Sequence, residues 1–127
     1  MSQVGHNLLY LLVRYEKSKT YTFIGSTSDF SARLREHNDN GSIWLPVLAL
    51  KLPATRTVSV KTLRERWKRS ARGLDSRVKY GFTLAKKNKA TAVFIHDIDT
   101  PILKFLNQLH PQGNEPRAVD ASFWEQF

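Results

Sequence analysis

The sequence contains no cysteine, and this absence removes several kinds of chemistry at once. Disulfides, thiolate nucleophiles, cysteine-ligated zinc and iron–sulfur clusters all require that side chain. Long apolar runs are also missing, because the longest, at 8–13 and 44–50, fall far short of the roughly 20 residues that cross a bilayer. Residues 1–7 carry no Lys or Arg of the kind that opens a signal peptide. We therefore expect a soluble protein without a membrane partner, inside the cell and nuclear or cytoplasmic according to the host.

Acidic side chains are scarce, since 11 Asp and Glu stand against 20 Lys and Arg, and the net charge is +9. The excess lies in residues 51–89, where 13 basic side chains accompany only Glu65 and Asp75. Solvated helix faces usually mix both signs, whereas a block of one sign usually follows phosphate groups. This charge distribution predicts a polyanionic partner, most often nucleic acid.

The order of apolar runs and polar breaks predicts one α+β domain over residues 1–127. We expect a core at 8–72, a basic helical region at 59–89, and a C-terminal strand, helix and tail at 91–127. We expect a turn at 23–25 that closes the second strand at Gly25. We also expect Gly73 to end the second helix. The predicted elements are strands at 8–13, 20–24, 44–52 and 91–96, with helices at 30–38, 60–72, 75–88 and from about 101.

Three side chains of the first predicted strand and the first predicted helix are of types that can act together in catalysis. Tyr10 lies on the first predicted strand, and Arg33 and His37 lie four residues apart on one face of the first predicted helix. Hydrolysis of a phosphodiester needs a base to activate water, a cation for the developing charge, and usually a metal ion. A phenol, a guanidinium and an imidazole beside a basic surface suit that reaction.

The segments Tyr10-Leu11-Leu12, 20–27 (TYTFIGST) and 33–38 (RLREHN) resemble the core of the GIY-YIG nucleases, over about residues 8–72. They are most similar to the catalytic domain of the Slx-type structure-selective endonucleases. This resemblance implies a small three-stranded antiparallel sheet flanked by helices, to which the chain adds the C-terminal strand and helix. It also implies a metal-dependent endonuclease of DNA, with branched or flap structures as candidate substrates.

The resemblance assigns roles position by position. Tyr10 matches the tyrosine that acts as general base, although a free phenol has a pKa near 10 and needs help at neutral pH. Arg33 matches the arginine that steadies the phosphate, and His37 the histidine that bonds the tyrosine or relays its proton. Glu65, the only carboxylate of the second predicted helix, is the candidate ligand of one Mg²⁺ (or Mn²⁺) ion, with its register open by one residue. It could equally be a solvent-exposed partner of Arg69.

The chain also departs from the family pattern. Phe23 stands where the family has its second tyrosine, and Tyr21, on the same face of the strand, is the candidate for a replacement hydroxyl. Phe23 keeps open the alternative of a catalytically impaired nucleic-acid-binding module. A further alternative is an assembly subunit that binds a protein partner or a second copy through its aromatic C-terminal tail. The expected nucleic-acid contacts are Arg35, Lys61, Arg64, Lys68, Arg69, Arg72 and Lys79.

Overall fold

The computed structural model describes residues 7–39, 41, 43–54 and 57–94. They form four strands and three helices, and the sheet has the order β2-β1-β3-β4 with every neighbouring pair antiparallel. In chain order the elements are β1 (Leu8–Glu16), β2 (Lys19–Thr27), α1 (Phe30–Asn38), β3 (Leu45–Lys51), α2 (Val60–Ser70), α3 (Leu74–Lys87) and β4 (Thr91–Phe94).

The expected fold class is confirmed: three antiparallel strands, β2, β1 and β3, are flanked by helices, and β4 adds to β3. The helix expected from about 101 and the tail lie outside the described residues. None of the three described helices has the length and apolarity that a membrane-crossing helix requires.

Two expectations about glycines are wrong. Gly25 does not close β2, which continues to Thr27, and no turn forms at 23–25. The residue is a glycine because the Tyr10 ring lies across it, as described below. Gly73 does not end the second helix, which stops at Ser70, but is the N-cap of α3 with a φ of 83°. Glycine adopts that left-handed backbone without the steric cost of a side chain.

The sheet separates two apolar clusters, because successive residues of a strand point to opposite faces. Leu9, Leu11 and Val13 of β1 pack with α2 and α3 on one side. Leu8, Tyr10 and Leu12 pack on the other side, which is covered by Phe30 and Leu34 of α1. Phe30 and Leu34, four residues apart on α1, both pack toward the core. Strand β1 lies between β2 and β3, and its residues 8–13 are buried.

Trp67 of α2 is the centre of the larger cluster. Its side chain is 0% exposed, and its indole Nε1 donates to the Arg77 carbonyl at 2.8 Å. Arg77 in turn donates from Nε to the Ala71 carbonyl at 3.0 Å and from Nη1 to Thr22 Oγ1 at 2.8 Å. One tryptophan and one arginine therefore tie α2 and α3 to each other and to β2.

We predict that Trp67→Ala lowers the free energy of unfolding by about 3–5 kcal/mol, because it removes a buried ring and leaves a cavity. Urea denaturation followed by circular dichroism measures the change. Arg66→Ala is the matched control, since Arg66 is exposed on the same helix and should change stability by less than about 0.5 kcal/mol. Equal losses for the two variants would contradict this account of the core.

Candidate active site

The site forms where β1 meets α1. Tyr10 Oη lies 3.0 Å from His37 Nε2, although 27 residues separate them in the chain. The start of α1 is fixed by Asp29, whose Oδ1 accepts from the Ala32 amide at 3.1 Å. Thr27 Oγ1, at the end of β2, accepts from the Asp29 amide at 3.0 Å. This cap attaches α1 directly to the end of β2 and so directs His37 back over the sheet.

The far end of α1 is also fixed, through Asn38. Its Oδ1 accepts from the Trp44 amide at 2.7 Å, and its Nδ2 donates to the Trp44 carbonyl at 3.3 Å. These bonds hold Trp44 6.4 Å from His37 between ring centroids. Trp44 itself is half-buried, at the border of the site.

Aromatic rings surround the Tyr10 phenol, which is 1% exposed. The centroid of the Phe30 ring lies 5.1 Å away, that of His37 5.9 Å, and that of Phe23 6.1 Å. Phe23 also contacts His37 edge-on at 4.6 Å. Phe23 therefore packs an apolar ring against the Tyr10–His37 pair.

Gly25 makes this arrangement possible. It pairs with Tyr10 across the β1–β2 ladder, and the Tyr10 ring leans over it toward the sheet edge. A Cβ atom at residue 25 would lie 2.5 Å from Tyr10 Cζ, closer still to its hydroxyl oxygen, and 2.9 Å from Phe23 Cε1. Sequence reasoning did not find this role, and the only signal was a glycine inside an otherwise β-forming segment.

Arg33 is a cation whose charge acts on the phenol. Its Nη1 forms an ion pair with Glu36 Oε1 at 2.8 Å, and the side chain is 48% exposed. The guanidinium also acts on the Tyr10 hydroxyl by hydrogen bonding and by its charge, and both lower the pKa of Tyr10. Tyr10, Arg33 and His37, singled out from the sequence, are thus brought together.

The protonation states of the pair follow from its burial. Burial raises the pKa of Tyr10 above 10.0 and outweighs the opposing effects of Arg33 and Arg64. Burial also lowers the pKa of His37 below 6.5, and the positive charge of Arg33 lowers it further. At neutral pH the phenol is therefore protonated and donates, while the imidazole is neutral and accepts at Nε2, with its own proton inferred on Nδ1.

Arg64 and Glu65 lie on the other side of β2. Arg64 Nη1 donates to Ser26 Oγ at 3.0 Å, and its Nε donates to Glu65 Oε2 at 3.2 Å. Ser26 follows Gly25, so it points to the opposite face of the strand. Strand β2 therefore lies between Glu65 and Tyr10. Arg64 bonds Glu65, and its positive charge also acts to lower the pKa of Tyr10.

The carboxylate expected to bind a metal ion already has two cationic partners. Lys68 Nζ lies 3.8 Å from Glu65 Oε2, in addition to the Arg64 bond. Within the described residues, no three His, Asp or Glu side chains form a group that could hold a metal ion. Mg²⁺ is often bound by one or two carboxylates together with substrate phosphates, so Glu65 alone supplies part of such a site.

The remaining residues predicted from the sequence lie away from the Tyr10–His37 pair. Tyr21 lies on the Tyr10 face but four residues along β2 from Gly25, about 13 Å away, with Phe23 between them. Its hydroxyl is therefore not brought to the Tyr10–His37 pair. Arg35 is exposed on α1 and donates to Ser31 Oγ at 3.2 Å. The other predicted contacts are exposed on or beside α2 and α3: Lys61, Lys68, Arg69, Arg72 and Lys79.

No family model, curated protein or solved structure matches the chain. The resemblance to the GIY-YIG core therefore stays a prediction from the motif residues.

We predict that Gly25→Ala lowers the free energy of unfolding by about 1–3 kcal/mol, because the added methyl group overlaps the Tyr10 ring. Inside a strand alanine is otherwise slightly favoured over glycine, so a loss of stability would point to the overlap with the Tyr10 ring. Chemical denaturation of a double-mutant cycle with Tyr10→Ala measures the coupling. If Gly25→Ala costs as much in the Tyr10→Ala background, the ring is not the reason for the glycine.

The lowered pKa of His37 predicts a pH dependence of stability. The unfolded state takes up this proton near pH 6.5, whereas the folded state resists it, so stability is lost as pH falls below about 6.5. His37→Gln keeps an amide that can accept from Tyr10 but does not titrate. We expect the stability of the variant to fall less than that of the wild type between pH 8 and pH 5. If urea denaturation shows the same loss of stability for wild type and variant between pH 8 and pH 5, the lowered pKa of His37 is contradicted.

Proposed function

We propose that this protein is a metal-dependent endonuclease that hydrolyses DNA phosphodiester bonds, with branched or flap structures as candidate substrates. The observation that carries the proposal is the meeting of Tyr10, Arg33 and His37 at one end of the sheet. A phenol bonded to a neutral imidazole and covered by a guanidinium is a set of groups suited to proton transfer beside a phosphate.

The protein's own residues can move the proton without a free phenolate. As the water oxygen attacks phosphorus, the water proton passes to Tyr10 Oη, while the Tyr10 proton moves to His37 Nε2 over the existing 3.0 Å bond. The P–O bond to the leaving oxygen breaks with its electron pair, and that oxygen takes a proton from solvent. Arg33 stabilises the negative charge that grows on the phosphate oxygens.

A divalent ion would bind at Glu65 together with phosphate oxygens of the substrate. When bound, such an ion supplies Lewis-acid stabilisation of the phosphate charge. Glu65 must first exchange its contacts with Arg64 and Lys68, and a phosphate group is the natural new partner for both cations.

The basic surface supports a DNA substrate. Lys61, Lys68 and Arg69 are exposed along α2, and Arg72 lies two residues beyond that helix and is also exposed. Side chains of this kind bind phosphates without regard to sequence and make affinity strongly salt-dependent.

A second candidate is a nucleic-acid-binding module that has lost the reaction. It is favoured by the 1% exposure of Tyr10, whose hydroxyl is already bonded, and by the apolar ring of Phe23. The third possibility, assembly through the aromatic C-terminal tail, concerns residues outside the described ranges.

The reaction is tested with labelled linear, flap and four-way DNA, each incubated with Mg²⁺ or with EDTA. We expect Mg²⁺-dependent cleavage that falls by at least about 10²-fold in Tyr10→Phe and in Arg33→Ala, since each removes a group that acts in the transition state. Glu65→Gln should raise the Mg²⁺ concentration required. Tyr15→Phe is the matched control, because Tyr15 lies on the same strand but on the opposite face.

Absence of cleavage of every substrate in the presence of Mg²⁺ would exclude the enzyme. Salt-dependent DNA binding without cleavage would then favour the binding module. Cleavage that Tyr10→Phe leaves unchanged would show that the catalytic groups lie elsewhere.

A further inference from the structure

A group of aromatic side chains lies beside the Tyr10–His37 pair and takes no part in the proposed proton transfer. We call it the aromatic face and define it as Tyr21, Phe23 and Trp44, with Arg14 among them. The Phe23 and Trp44 ring centroids are 6.1 Å apart, and Arg14 Cζ lies 4.6 Å from the Tyr21 centroid and 5.2 Å from that of Trp44. Tyr21 and Phe23 remain 38% and 36% exposed.

The aromatic face is continuous with the candidate active site. Phe23 contacts His37 at 4.6 Å between centroids, and Trp44 lies 6.4 Å from the same imidazole. Along β2 the face extends about 13 Å, from Tyr21 to Gly25 beneath the Tyr10 hydroxyl. A flat ligand stacked on these rings would therefore lie directly next to the groups that we assign to catalysis.

The two sides of β2 differ in charge. Among the described strands, β2 pairs only with β1, so its other edge borders the sheet. On the aromatic side, Arg14 pairs with Glu16 and Arg33 pairs with Glu36, and Lys19 adds one positive charge on that face of β2. On the other side α2 carries five basic residues and one acidic residue, and its Arg64 reaches β2 at Ser26.

A single nucleic-acid strand has the same division, with flat apolar bases on one side and phosphates on the other. Proteins that bind single strands combine aromatic rings, on which the bases stack, with a basic groove that follows the backbone. The edge of β2 provides both within the reach of one strand. Bases inside a duplex are already stacked on each other, so only unpaired bases can use the rings.

We infer that the aromatic face stacks unpaired bases of a DNA strand whose phosphates follow the edge of β2 toward Arg33 and α2. This inference rests on the proposed function and deepens it, because it names the substrate class as DNA with unpaired nucleotides at the cleaved bond. Arg14 orients the rings, since its guanidinium contacts both Tyr21 and Trp44.

The test measures binding of the full chain by fluorescence anisotropy, in EDTA so that no cleavage occurs. Three labelled probes of equal length are compared: oligo(dT), an abasic oligomer with the same phosphates but no bases, and a duplex. We expect oligo(dT) to bind at least about tenfold more tightly than the abasic oligomer, the gain expected from stacking one base. Tyr21→Leu should remove most of this preference, and Tyr21→Phe should retain it.

Tyr15→Leu is the matched control. Tyr15 is also an exposed tyrosine near the hairpin turn, at 52% exposure, but it lies on the α2–α3 side of β1. Its replacement should leave the preference for oligo(dT) unchanged, whereas a general loss of folding or of surface tyrosine would affect both variants.

Three outcomes would overturn the inference. Equal affinity of the wild type for oligo(dT) and the abasic oligomer would show that no base is stacked, and the proposed nuclease would stand. Equal weakening of all three probes by Tyr21→Leu would reveal a purely structural role for Tyr21. Failure to bind any of the probes would overturn the proposed function as well.

Discussion

The packing of the Tyr10 ring across Gly25 is the constraint on which the site depends. The missing side chain at residue 25 lets the phenol lean toward the edge of the sheet, and the hydroxyl then reaches His37 at 3.0 Å. That bond forms because α1, capped by Asp29, starts shortly after β2 and returns over the Tyr10 face. Burial of the ring keeps the phenol protonated and the imidazole neutral, so the geometry also determines the direction of the hydrogen bond.

Local sequence signals predicted most of the fold. The helix expected at 30–38 matches α1, and the helix expected at 60–72 starts where α2 does, with Asp29 and Ser59 as the side-chain caps. The signals failed at Gly25 and Gly73, where a glycine was interpreted as the end of an element. Glycine is favoured at Gly73 by its positive φ and at Gly25 by a ring packed against the backbone, and only the three-dimensional structure distinguishes these reasons from a turn.

The candidate site was predictable only where local patterns of the sequence specify it. Tyr10, Arg33 and His37 follow from an ordered motif and from helical spacing, both local properties of the chain. The positions of Arg64 and Glu65 depend on how α2 packs against β2, which no local pattern specifies. Arg64 was expected as a phosphate contact of the basic run, yet it bonds Ser26 on one side and Glu65 on the other.

Strand β2 joins the two parts of the candidate site, the Tyr10 side and the α2 side. Its Gly25 and Phe23 face the phenol and the aromatic rings, whereas Ser26 faces the basic helix α2. Adjacent residues of one strand thus connect an aromatic surface with a strongly basic one, because their side chains point in opposite directions. The charge excess of residues 51–89 then acts at the border of the site rather than inside it. In the proposed function, a phosphate at that border would be held from the α2 side while the adjoining base lies on the aromatic side, and this would require a strand whose bases are free.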